Sequence, residues 1–339
     1  MGTQRGHACG ADARATTDVT PTPANAPGET PYANSIFQQP WWLDAMAPGS
    51  WAEVTIERGD RTVGRLPYVI RRRGGLRVLT QPRYTQTLGP WVAREPGAKA
   101  ATAVGDELEI LAALEAALPR ADAFRQSFAP TMLNGLPFHW AGYRLELCYT
   151  YRLAGLGGEP SLWDGLSGNI RREIRKARAR LEVRDDLGVD RFHAVWVKTF
   201  ARQGLPAPRR DVLERLEAAC VPRGARAMLF ATDGSDRVHA TAYVVWDRHA
   251  AYYLLGGADP LLRTSGASSL LMWEAIRRAR HHTDVFDFEG SMLKPVERFF
   301  RAFGGCQTPY LYVNRANRAA RAALGLRAVL ARRDGRHRR

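Results

Sequence analysis

Between Ala250 and Val313 the chain reads as strand, small polar turn, helix, strand, helix, strand, and this order constrains the fold more than any other stretch. Ala251–Ala258 is an apolar run closing on glycines. Arg263–Ser268 (Arg-Thr-Ser-Gly-Ala-Ser) follows, and Ser269–Ala279 has the apolar spacing of an amphipathic helix. Asp284–Ser291, Val296–Gly305 and Thr308–Val313 then predict a strand, a helix and a strand. A glycine-containing turn that opens a helix leaves backbone N–H groups without partners, and the helix dipole there favours an anion. Such a turn suits a phosphorylated donor; the plainer reading is a capped helix after a turn.

At 339 residues the chain exceeds the usual size of one core, and 45% hydrophobic with 9% aromatic residues favours filled cores over disorder. Its longest apolar runs are only a few residues, far short of a membrane span. Met1–Pro31 is rich in Ala, Thr, Pro and Gly and lacks the apolar core of a secretory signal. The expectation is a cytoplasmic protein with a disordered tail over 1–33, a first domain over 34–150, a second over 151–314, and a basic helix and tail over 315–339. Cys9, Cys148, Cys220 and Cys306 are scattered and match no zinc spacing, so no metal site is expected.

The net charge of +15 is concentrated in two places: Arg315–Arg339 carries +8 and Arg171–Arg180 carries +5. Clustered cations are a footprint for phosphate-rich partners, although solvated arginine tails are an equally good account of the C-terminal cluster.

Along the chain, Ser35–Met46 reads as a short helix with paired tryptophans. Trp51–Glu57, Thr62–Ile70 and Leu76–Leu79 read as strands, Pro82–Trp91 as a polar loop, Asp106–Leu118 as a helix and Ala123–Phe128 as a strand. Ser167–Val183 is a capped basic helix running into a strand, followed by helices over Val189–Ala201 and Arg210–Ala219. Ala227–Thr232, Val238–Trp246 and Ala250–Leu255 are strands joined by polar turns. Both halves run helix, antiparallel strands, helix, strand, which points to a duplicated α+β architecture.

Three passages carry a family resemblance: Asn169–Ala177 (Asn-Ile-Arg-Arg-Glu-Ile-Arg-Lys-Ala), Asp287–Ser291 (Asp-Phe-Glu-Gly-Ser) and Arg298–Gly305 (Arg-Phe-Phe-Arg-Ala-Phe-Gly-Gly). In their order and spacing the second half resembles the GNAT acyltransferase superfamily. The whole stretch from Ser35 to Val313 resembles its Fem-type branch, which includes peptidoglycan aminoacyltransferases. The resemblance implies tandem GNAT-like domains, each a mixed, mostly antiparallel sheet flanked by helices. It also implies a cleft between them as the active site, and a helix over Ala316–Leu330 that returns to the first domain. Arg263, Ser265, Gly266, Ala267 and Ser268 are similar to the pyrophosphate turn of that superfamily and would hold the donor. Fem-type members frequently have Phe-Lys where this sequence has Phe299-Phe300, so that cation is missing here.

Acyl transfer to an amine needs a polarised carbonyl, a proton acceptor for the amine and a proton source for the leaving group. Asp287 and Glu289, two apart on the predicted strand, would share one face, with Phe286 and Phe288 on the core face. Two carboxylates on one face can yield a base of raised pKa; a solvated strand end or an ion pair with Arg298 is the alternative. Tyr252 is a candidate acid, and Tyr84, Gln86 and Thr87 in the polar loop are candidate acceptor-binding groups. His239, alone on a strand, reads as structural. Arg171, Arg172, Arg175, Lys176 and Arg178 form a basic helix that an RNA backbone would explain.

The expected function is thus acyl transfer onto an amine, or a hydroxylamine or hydroxyl, of a small metabolite or cell-envelope precursor, with no permanently bound cofactor. The donor is aminoacyl-tRNA, which the basic helix favours, or acyl-CoA. A non-catalytic RNA-binding protein on a transferase scaffold is the competing class.

Overall fold

The computed structural model describes residues 29–290 and 292–323. In the first half, α1 (Pro40–Met46) leads to a meander of β1 (Trp51–Arg58), β2 (Arg61–Arg73) and β3 (Leu76–Thr80), with the short β4 (Trp91–Val92) also on β2. The helix α2 (Ala100–Ala117) crosses over so that β5 (Ala123–Ser127) pairs parallel to β3. It begins six residues before the predicted Asp106, because its first turns are small residues with weak apolar periodicity. The short α3 (Leu136–Trp140) and β6 (Arg144–Ala154) follow.

The second half repeats the scheme. It comprises α4 (Glu159–Gly165), α5 (Gly168–Arg178), β7 (Glu182–Arg184), α6 (Gly188–Arg202) and α7 (Arg210–Cys220). Then come β8 (Arg226–Thr232), β9 (Val238–Trp246), β10 (Ala251–Ala258), α8 (Ala267–Ala279), β11 (Val285–Asp287), α9 (Lys294–Arg301) and β12 (Cys306–Ala316). As α2 does for β3 and β5, α8 carries the chain from β10 to a parallel β11.

All twelve strands of the described residues form one sheet, ordered β1-β2-β3-β5-β12-β6-β11-β10-β9-β8-β7 with β4 to the side. The halves exchange their closing strands. β6, made before the second half, pairs with β11; β12, made last, lies between β5 and β6. Apart from the two parallel crossovers the pairings are antiparallel.

Three cores follow from this layout. One holds α5, α8 and α9 against one face of the second half through Ile170, Ile174, Leu271, Trp273, Phe286 and Phe288. On the opposite face α6 and α7 pack through Phe192, Trp196 and Leu216, and α1 joins them with Trp41 and Trp42. The third lies under α2 and α3 in the first half. Thus the tryptophan pair near the start of the chain is spent on the second half.

The segment ahead of α1 is tied down by a buried cation. Arg65, 2% exposed, pairs with Glu53 at 2.7 Å and donates to the carbonyl oxygens of Gln38 (2.7 Å) and Tyr32 (3.2 Å). Removing one partner of a buried ion pair costs about 3–5 kcal/mol. Arg65→Met is therefore expected to lose roughly 3 kcal/mol in urea unfolding, the lower end because Glu53 keeps some solvent. A loss under about 1 kcal/mol, the range of surface pairs, would show that the clamp is dispensable.

Residues 318–323 are helical beside the first half, where the Asn317 N–H donates to the Asp122 oxygen at 2.8 Å. The rest of the predicted Ala316–Leu330 helix, and residues 1–28 of the predicted tail, lie outside the described residues.

Candidate active site

Ser167 caps α5 by accepting from the Ile170 amide at 3.4 Å, and Ile170, Ile174 and Ala177 turn that helix's apolar stripe onto α8. The opposite stripe is the basic one. Lys176 Nζ donates to the Thr264 carbonyl at 3.4 Å, which joins the basic helix to the Arg263–Ser265 turn as one surface. Arg175 and Arg178 lie over the Trp163 ring at 5.5 and 5.8 Å, Arg172 donates to Asn169, and Arg171 lies 3.9 Å from Asp164. Among the described residues Arg172, Arg175, Lys176, Arg178 and Arg263 pair with no carboxylate.

Beside this surface runs a groove of about 490 Å³, lined by Arg202, Gly257, Arg263, Gly266, Ser268 and Phe299 among others. It opens where β10 and β11 part: they pair only at Ala251 and Tyr252, so the edge from Tyr253 onward has no strand partner on that side. At the mouth, Gly266 adopts φ +80°, and a Cβ there would stand 2.7 Å from the Glu173 backbone oxygen. Close packing of α8 on α5 therefore demands this glycine, whatever the turn binds. The Glu173 side chain accepts from Ser269 Oγ at 2.5 Å, so a carboxylate already stands in the first turn of α8.

A smaller, partly open cavity of about 190 Å³ lies between the halves. Asn34, Ser35 and Phe37 from the clamped segment, Gln86 and Thr87 from the loop, Arg152 from β6, and Tyr252, Asp287 and Glu289 line it. Asp287 ends β11, where Oδ1 accepts from Thr150 Oγ1 (2.6 Å) and from the Glu289 amide (2.8 Å), and Oδ2 faces Arg152 Nε at 3.3 Å. The predicted strand does not continue: Glu289 takes φ +58°, a turn rather than a strand position. Both carboxylates still face one cavity, by the turn and not by strand alternation. The ion partner is Arg152, not Arg298.

Gln86 Nε2 holds the turn by donating to the Glu289 carbonyl at 2.6 Å. Glu289 Oε1 is buried and, among the described residues, has no hydrogen-bond partner. Burial, with Asp287 next to it, pushes the Glu289 carboxyl well above the ordinary carboxylate value. Asp287 is raised less decisively, since burial is opposed by Arg152 and the Thr150 hydroxyl. Burial also raises Tyr252, reinforced by Asp247 and Asp287, so its hydroxyl stays protonated. That hydroxyl donates to Asp247 Oδ2 at 3.4 Å, and the same carboxylate accepts from the Ile36 amide.

The fold therefore gathers Asp287, Glu289, Tyr252, Gln86 and Thr87 at one cavity, and Arg263, Ser265, Gly266, Ala267 and Ser268 near the groove mouth. It does not bring Tyr84 there; at φ +56° that ring packs on Trp196 at 5.3 Å. Reasoning from sequence missed Arg152, Ser35 and Glu173. Arg152 had a weak signal: residues 145, 147, 149, 151 and 153 are apolar, but Cys148 and Ala154 interrupt the polar positions between them. Ser35 and Glu173 carry no local signal.

With this geometry in hand, residues 166–301 match the family model of the acetyltransferase (GNAT) domain. Residues 166–301 thus carry a GNAT-type domain. The crystal structure of FemX superposes on the chain with a TM-score of 0.61 at 11% identity, covering 81% of this chain and 91% of that one. A conserved protein of unknown function from Bacteroides thetaiotaomicron gives 0.51 at 11%, with coverages of 82% and 90%. The C-terminal domain (DUF2156) of a candidate lysylphosphatidylglycerol synthetase from Agrobacterium fabrum gives 0.50 at 15%, with 84% and 91%. At such identities the likeness is one of fold, and with FemX it runs over most of the chain. No curated protein sequence matches. Among the described residues no helix is long and apolar enough to cross a membrane, and no cluster of His, Cys, Asp and Glu could hold a metal ion.

Proposed function

We propose that the chain transfers an aminoacyl group from aminoacyl-tRNA to the nitrogen of an amine acceptor, with the donor on the α5 surface and groove and the acceptor in the cavity. The observation that carries this reading is the continuity of the basic helix with the turn. The unpaired cations from Arg172 to Arg178, extended by Arg263 and Arg202, exceed what one diphosphate group needs and suit a nucleic-acid backbone. Glu173 in the first turn of α8 also disfavours an anion on that helix dipole. A second reading, acyl-CoA as donor, is favoured by the apolar groove walls of Leu271, Val296, Phe299 and Phe300, which suit an aliphatic tether.

In either case the roles are the same. The neutral amine attacks the donor carbonyl in the gap where β10 and β11 diverge. Backbone N–H groups on the open edge of β10 stabilise the developing oxyanion. Glu289 accepts the amine proton while Asp287, held by Arg152 and Thr150, fixes the turn that presents it. Tyr252 remains protonated and can supply a proton to the departing oxygen or sulfur.

Charge reversal of Arg172, Arg175 and Lys176 together is expected to weaken tRNA binding at least tenfold at physiological salt. The slope of log affinity on log salt should fall by about 0.7–0.9 for each phosphate that is no longer neutralised. Fluorescence anisotropy with charged tRNA, uncharged tRNA and coenzyme A, across a salt series, measures both. Unchanged tRNA affinity together with micromolar coenzyme A binding would select acyl-CoA. Salt-sensitive RNA binding with no acyl transfer to any amine would leave an RNA-binding protein on a transferase scaffold.

A further inference from the structure

The cavity between the halves contains unsatisfied groups of both charges. Ser35 is 4% exposed, and among the described residues its Oγ and the buried Glu289 Oε1 have no hydrogen-bond partner. Arg152 Nε is buried and faces Asp287 Oδ2 at 3.3 Å, while its two terminal nitrogens, which solvent reaches, make no hydrogen bond or ion pair among the described residues. Buried polar groups in folded proteins are nearly always paired, so Ser35 Oγ and Glu289 Oε1, unpaired on the wall of one cavity, point to a polar occupant. An amine would satisfy Glu289 and leave the guanidinium bare, and a carboxylate would do the reverse. Phe37, Ala129, Pro130 and Val285 add apolar wall, and Asn34, Thr131 and His249 further polar groups.

We propose that the acceptor is a free amino acid or a comparably small zwitterion, its ammonium on Glu289 Oε1 and Ser35 Oγ and its carboxylate on the Arg152 fork. This rests on the cavity being the acceptor side of the reaction proposed above. At about 190 Å³ the cavity is below the range that holds drug-sized ligands, so the bulk of a nucleotide-linked precursor does not fit inside it, whereas a free amino acid does. Glu289 then locates the ammonium and takes its first proton, which leaves a neutral amine as nucleophile; the second proton, released as the C–N bond forms, passes by way of Tyr252 to the departing oxygen or sulfur.

Calorimetry on the full chain with a panel of free L-amino acids tests the idea, alone and with uncharged tRNA or coenzyme A present, so that ordered binding is covered. The best amino acid is then compared with its decarboxylated amine, its deaminated acid and its methyl ester. The expected result is that each single-charge analogue binds at least tenfold more weakly, and that Glu289→Gln costs a similar factor and Ser35→Ala a smaller one. An amine that binds as tightly as the amino acid overturns the proposal. So does the ester, which would assign the cavity to the aminoacyl part of the donor. Absence of binding by every amino acid overturns it as well. Amino acid binding without acyl transfer would count against the transferase reading and leave this one standing.

Discussion

Glutamine in place of Glu289 is expected to cut turnover by about 10²–10⁴-fold, the contribution of a positioned general base, while raising the melting temperature at neutral pH. The two effects have one cause. Burial beside Asp287 lifts the Glu289 pKa in the folded chain above its unfolded value near about 4.3. Between those two values the folded chain holds a proton that the unfolded chain has released, so stability falls as pH rises through the window. Above the folded pKa the whole cost of a buried, poorly partnered carboxylate is present; below the unfolded pKa both states are protonated and it vanishes. The variant should therefore melt a few degrees higher than wild type at pH 7–8, where about 1 kcal/mol corresponds to some 2–4 °C for a large domain. That advantage should be gone near pH 4. Wild-type kcat/KM should rise with pH through the elevated pKa, and the limb should be missing from the variant. A variant that melts lower at every pH would mean that Glu289 is held by favourable contacts in the folded state and is no base in waiting.

Gly290→Ala is expected to do more damage than any other small substitution near the site. Gly290 adopts φ +53°, and an added Cβ would stand 2.3 Å from the Tyr149 backbone oxygen and 2.7 Å from Thr150 Cα. Both of these atoms are backbone of β6, which is paired on its two edges and has nowhere to go. The backbone penalty of about 1–2 kcal/mol for a left-handed residue is joined by about 1–3 kcal/mol of overpacking. Urea unfolding should show roughly 2–5 kcal/mol lost. Turnover should drop by about 10²-fold, as a misplacement near 1 Å can cause, because the turn that presents Glu289 moves with it. Gly97→Ala is the control: it has φ +79° with nothing within 4 Å, and should lose only the backbone part. Equal losses at both positions would show that the close approach to β6 is relieved at no cost.

Where side-chain period and composition act locally, the fold was legible in the sequence. The three strands Ala227–Thr232, Val238–Trp246 and Ala250–Leu255 stand within a few residues of β8, β9 and β10, and Ser167 caps α5 as its position before an apolar-periodic run requires. The alternation of β6 is weaker, interrupted at Cys148, and its run straddles the predicted boundary between residues 150 and 151. The site was legible only by residue type. Asp287 and Glu289 stand out for their spacing on a strand, yet the strand stops and a left-handed turn at Glu289 brings the second carboxylate around. Arg152 and Ser35 reach the cavity from segments 135 and 252 positions away from Asp287 in the chain. Such meetings are decided by the exchange of strands between halves, and no local period encodes that.

The position of β12 has a consequence for how the chain is made. Residues 306–314 pair with β6 and residues 312–316 with β5, so the strand that fills the middle of the sheet is the last to be synthesised. Until Cys306 and its successors leave the ribosome, β5 and β6 each expose an unpaired edge to the other across an empty slot. A first half that would ordinarily fold as it emerges must wait for the end of the second, and open edges of this kind invite pairing with other chains. Biosynthesis is thus the stage at which this architecture is most exposed to aggregation, and a translational pause shortly before Cys306 would prolong it.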